Sequence, residues 1–65
     1  MPSSAADAKG LLAAAIRDPD PVLFLEPLRG YRAIRDEVAE GDLVVPLGQA
    51  RTVRPGGDLV IIAWS

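Results

Sequence analysis

The side chains best able to do chemistry in this chain are acids set beside prolines. In "AIRDPDP", Ala15 to Pro21, Asp18 and Asp20 are each followed by proline, at what reads as the end of a helix. The unpaired carbonyls of a helix C-terminus carry partial negative charge, so cations belong there and carboxylates do not. One account is local: each aspartate accepts hydrogen bonds from nearby backbone amides in an Asx turn while staying solvated. Glu26 is a second candidate, since it ends an apolar run at the edge where α/β sites gather. It reads as a structural hydrogen-bond acceptor rather than a catalytic acid. Arg29, Arg32 and Arg35 are mixed with Asp36, Glu37 and Glu40. That pattern is a solvated or interface surface, with an anion site as the alternative. The chain has no histidine and no cysteine, which excludes a His-based acid/base pair, a zinc cluster and a disulfide framework built from its own residues.

The elements that must position these groups are few. Ser3 and Ser4 are N-cap candidates, and Asp7 complements the helix dipole in the following turn. The alanine-rich stretch from Ala5 or Ala6 to Arg17 favours a helix, with Leu11, Leu12, Ala15 and Ile16 on one face. Gly10, inside that helix, is expected where a neighbouring backbone comes close, because glycine there costs about 1 kcal/mol relative to alanine. Pro19 and Pro21 stop the helix. "VLFLE", Val22 to Glu26, reads as a short strand covered on both faces. From Pro27 to Gly41 the chain is a polar connection with one short helical turn expected near Arg32 to Glu37. Leu43 to Pro46 is a short extended piece. "QARTVRPGGDLVIIAWS", from Gln49 to Ser65, then predicts a strand, a Pro55-Gly56-Gly57 turn and a second strand. In that second strand both sides are apolar: Leu59, Ile61 and Ala63 alternate with Val60, Ile62 and Trp64.

Composition sharpens the picture. At 65 residues a chain buries only about 60% of its unfolded surface and is marginal without staples. Yet 49% of its residues are hydrophobic. Two strands each need two apolar covers, and one amphipathic helix supplies one. The missing covers are expected from outside this stretch of chain, with a self-sufficient mini-domain or an obligate oligomer that supplies its own covers as the competing account. A net charge of −2 and only three aromatic residues argue against nucleic acid. No apolar run approaches the ~18 residues of a membrane span, and no signal-peptide pattern opens the chain. The lack of cysteine fits a reducing compartment, so a cytoplasmic location is expected.

Several separated blocks are familiar in order and spacing. "PSSAADAKGLLAAAIRDPDPVLFLEP", "YRAIRDEVAEGD", "VPLGQARTVRPGGD" and "LVIIAWS" resemble the beta subunit of thiamine-diphosphate-dependent 2-oxo acid dehydrogenases, the pyruvate and branched-chain enzymes among them. The resemblance takes in essentially the whole chain but only a short internal fragment of such a subunit. It implies an α/β fold of transketolase-like type: residues 1–27 as the end of a pyrimidine-binding domain (helix, then strand), 28–47 as a linker, and 48–65 as the first hairpin of the C-terminal domain. Ala5, Ala39 and Gln49 depart from the usual family residues at linker and cap positions. "FLEP" and "IAW" lean toward the branched-chain members.

The same resemblance gives the acids at the helix end a second account. The turn is similar to one that helps hold a structural potassium ion through the backbone carbonyls of Ala15, Ile16, Asp18 and Asp20, with the other ligands outside this segment. Thiamine diphosphate and magnesium are bound elsewhere in such an enzyme, and none of its catalytic residues falls here, so this chain alone is expected to be catalytically inert. The implied partners are an alpha subunit, a second beta subunit and the acyltransferase core of the complex. A non-catalytic, self-associating interaction module is the competing reading.

Overall fold

The computed structural model describes residues 1–64. Helix α1 spans Ala5–Arg17, and a single turn, α2, spans Gly30–Ala33. α1 begins where the sequence sets a cap: Ser4 is extended, and its hydroxyl accepts a hydrogen bond from the Asp7 amide at 3.1 Å. This satisfies one of the amides that the first turn leaves without a partner. Asp7 in that turn and Arg17 in the last both oppose the helix dipole. α2 follows a turn in which the Pro27 carbonyl accepts from the Gly30 amide at 2.9 Å. It lies a few residues earlier than the turn expected near Arg32 to Glu37.

Residues 39–51 run back along α1. Lys9 Nζ donates to the Ala39 carbonyl at 2.7 Å, and Arg17 donates twice to Asp42, at 2.8 and 3.3 Å. The chain turns there, with Gly41 at φ +92°, a left-handed conformation that glycine adopts without strain. It returns so that the Val45 amide meets the Gly10 carbonyl at 3.1 Å and Arg51 reaches Asp7 at 3.3 Å. Gly10 is the buried residue of α1. A β-carbon at that position would overlap Val45 Cγ2 and stand 2.9 Å from the Val45 nitrogen. The close backbone approach expected of Gly10 is therefore present, and its neighbour is Val45.

The expected strands are not formed. Among the described residues there is no strand: Val22 to Glu26 and Gln49 to Trp64 are without regular structure, and the Pro55-Gly56-Gly57 stretch closes no hairpin. The reason is the shortage of covers inferred from composition. An apolar strand gains from pairing only when a partner edge and a packing face are at hand. Here α1 offers its Gly10 side to residues 39–51 and leaves the other open, with Ile16 75% exposed. Of the apolar stripe, Leu12 and Ile16 are exposed, while Leu11 and Ala15 are half-buried. No large apolar side chain is buried among the described residues, and Trp64 is 79% exposed.

Candidate functional site

The end of α1 is built by its prolines. In a regular helix the carbonyls of Ala15, Ile16 and Arg17 would accept from the amides of residues 19, 20 and 21. Pro19 and Pro21 have no amide hydrogen to give. The Asp20 amide is turned instead to Asp18 Oδ1, at 2.9 Å. The last regular bond is the one from the Asp18 amide to the Ala14 carbonyl, at 3.0 Å. Asp18 is half-buried at the cap and forms the Asx turn expected of it, while Asp20 is exposed. Three successive carbonyls thus lose their helical donors where the helix dipole is negative.

This helix end borders an open hollow of about 390 Å³ lined by Ala14, Arg17, Asp18, Pro19, Val44 and Leu47. Arg17, on the last turn of α1, pairs with Asp42 on the returning chain, both exposed. The hydrogen bond from Arg17, and then its charge, hold the Asp42 carboxyl below its usual range, with a smaller contribution from Lys9. The same pair raises the Arg17 guanidinium above its ordinary value, chiefly through that hydrogen bond.

Of the residues expected to bear ligand carbonyls, Ala15 and Ile16 stand in the last turn of α1, Asp18 at its cap and Asp20 just beyond. Asp18 lines the hollow; Ala15, Ile16 and Asp20 are not among its lining residues. Among the described residues there is no group of three acidic side chains that could hold a metal. A cation here would therefore rest on backbone oxygens, a neutral donor set that suits potassium and other hard ions whose ligands are oxygens. Donor-free carbonyls at a helix end fit that requirement.

The other candidates fare differently. Glu26 is exposed and takes part in none of the side-chain hydrogen bonds among the described residues, so it is no structural acceptor in this chain. Arg29, Arg32 and Arg35 are exposed, and the described ion pairs are Arg17–Asp42 and Arg51–Asp7. Sequence reasoning missed those two pairs. Their sole local signal was Arg17 at the cation-favouring end of the helix, since partners 25 and 44 residues away leave no trace in periodicity. A second hollow, about 460 Å³, lies between the start of α1 and α2, with Tyr31 and Ile34 on its wall.

The chain is similar in sequence to known proteins. The chain is 54% identical over 63 residues to the pyruvate dehydrogenase E1 component subunit beta of Acholeplasma laidlawii, covering 97% of this chain and 19% of that protein. It is 53% identical over 64 residues to the 2-oxoisovalerate dehydrogenase subunit beta of Bacillus subtilis, covering 98% of this chain and 20% of that one. The mitochondrial 2-oxoisovalerate dehydrogenase subunit beta of Dictyostelium discoideum is 52% identical over 64 residues, 17% of its length. No family model and no solved structure matches the chain. Over nearly all of its own length the chain is similar to these beta subunits of pyruvate and 2-oxoisovalerate dehydrogenases, and it spans about one fifth of their length.

Proposed function

We propose that this chain is a segment of the beta subunit of a 2-oxo acid dehydrogenase. With an alpha subunit, the whole subunit decarboxylates a 2-oxo acid on thiamine diphosphate and hands the acyl group to the acyltransferase core. The observation that carries the reading is the near-complete match of this chain to one fifth of such subunits, joined to a surface that lacks its covers. α1 keeps an apolar side open, and Leu59 to Trp64 is exposed along its whole length. In the intact subunit, residues 22–26 and the stretch from 48 onward pair as strands within two sheets, and residues 28–47 link the two domains. The cofactor carries the difficult chemistry, and the segment supplies architecture rather than catalytic groups. Identities of 54% and 53% to a pyruvate and a branched-chain subunit do not separate the substrates. "FLEP", Phe24 to Pro27, and "IAW", Ile62 to Trp64, support the branched-chain class.

The helix end has a structural role in this scheme. The carbonyls of Ala15, Ile16, Asp18 and Asp20 contribute to a potassium site completed by ligands from the rest of the subunit. Support comes from Pro19, Pro21 and the Asp18 Asx turn, which together strip the helix end of donors.

A graft tests both parts. Residues 1–64 replace the matching segment of the Bacillus subtilis 2-oxoisovalerate subunit, and the hybrid is expressed with its alpha partner. The hybrid is expected to assemble and to decarboxylate the same 2-oxo acids as the parent, with a higher Tm in potassium than in sodium. A hybrid that folds but fails to assemble or turn over would refute the segment reading. Equal Tm in the two salts would remove the ion while leaving the segment reading intact. A self-associating module is the second reading, favoured by the exposed Leu59 to Trp64 stretch.

A further inference from the structure

We propose that residues 39–51 are a strap that closes along α1, with the Arg17–Asp42 pair as its latch at the helix's C-terminal end. All three charged side chains of α1, Asp7, Lys9 and Arg17, are engaged with this one stretch of chain: Arg51, the Ala39 carbonyl and Asp42. The one backbone bond between strap and helix runs from the Val45 amide to the Gly10 carbonyl, at 3.1 Å. Apolar contact is thin by comparison. Val45 is half-buried over Gly10, but Val44 and Leu47 are both exposed while lining the hollow at the helix end. Burial this slight cannot by itself select one register, because the hydrophobic effect is non-directional. The paired guanidinium and carboxylate can, since two donors of one planar fork meet two oxygens of one carboxylate.

The strap's position gives the latch a consequence. Val44 and Leu47 line the hollow at the helix end together with Ala14, Arg17, Asp18 and Pro19. Opening the strap would widen that hollow without breaking any hydrogen bond within α1. The latch is a property of Arg17, Asp42 and Val45, and it stands whether or not an ion binds at the helix end.

Amide hydrogen exchange of the full chain, followed residue by residue by NMR at low protein concentration and low salt, tests it. The Val45 amide reports the strap, and the α1 amides that bond within the helix report the helix. Exposed ion pairs are weak, so Arg17→Gln and Asp42→Asn are each expected to speed exchange at Val45 by about two- to fivefold. The α1 amides should keep their rates. The double variant should exchange no faster than either single one, because both remove the same interaction. Molar salt should bring the unmodified chain toward the variants. Four outcomes would overturn the proposal: no protection at Val45 in the unmodified chain, unchanged exchange there in both variants, additive effects, or loss of Val45 and α1 protection together.

Discussion

Helix α1 with residues 39–51, and residues 52–64, obey opposite rules. The first part is rich in alanine and charge, and it holds together through a capped helix and polar contacts between positions far apart in sequence. The second part ends in the most apolar run of the chain, yet Ile61 and Ile62 are 83% and 87% exposed. Hydrophobicity alone therefore did not decide which part is organised. An apolar residue stabilises a fold only when a complementary surface removes it from water. The front part carries its partner within itself: a glycine on the helix receives Val45. The end of the chain has no such surface among the described residues.

The largest test of this contrast replaces Ile61 with glutamate. If the exposed stretch recruits other copies of the chain, the unmodified protein should sediment as assemblies that grow with concentration. Ile61→Glu should remain monomeric, because a charge in the middle of an apolar strand blocks both pairing and stacking. The helix should be unaffected, with far-UV circular dichroism at low concentration unchanged. A monomer in both forms would show that the tail stays solvated and would break the contrast. Loss of helix in the variant would show that the two parts are coupled.

Gly10→Ala should come next in size, and it acts on the other side. Alanine is the better helix former by about 1 kcal/mol, so a solvent-facing glycine would gain from the change. Here the new methyl meets Val45 through both its side chain and its backbone nitrogen. Overpacking of this kind typically costs about 1–3 kcal/mol. The expected net result is a helix retained and a strap displaced, seen as rapid exchange at the Val45 amide with α1 still protected. Gly57→Ala, where no atom lies within 4 Å of the added carbon, is the matched control in the second region. Faster strap exchange in the control, or none in Gly10→Ala, would mean that the Gly10–Val45 contact does not hold the strap.

What could be read in advance follows the same division. Ser4 as cap, Pro19 as stop, Gly10 as a point of close approach and Asp18 as an Asx turn are all local signals, and each is present. The register of residues 39–51 on α1 was not legible, because it is set by pairs such as Arg17–Asp42 whose members are 25 residues apart. The strands expected at Val22 to Glu26 and in the final stretch failed for a different reason. Their apolar pattern describes a strand inside a covered sheet, and the described residues supply no such covers. Pattern reported the environment the residues suit, and Leu23 at 87% exposure is not in it. The ion site is legible to the same partial degree: the donor-free carbonyls are local, whereas ligands from other segments are not.

The smallest expected effect is one of pH, and it sharpens the contrast because only the first region should respond. Asp42 faces Arg17, with Lys9 nearby, and its carboxyl is held below the usual range mainly by the hydrogen bond from Arg17. A group whose pKa is lower in the folded form adds stability above its unfolded value and loses it as pH falls through the folded value. The Arg17 guanidinium stays charged throughout, so the change comes from the acid. Strap protection at Val45 should thus be constant from neutral pH down to the ordinary carboxylate range, about pH 4, and should weaken below it. The decline should be modest, since both partners are exposed. In Asp42→Asn that component should vanish, leaving a flatter profile from a lower starting protection. A profile unchanged by the substitution would assign the acid sensitivity to other carboxylates and remove Asp42 as the group that ties the strap to the helix.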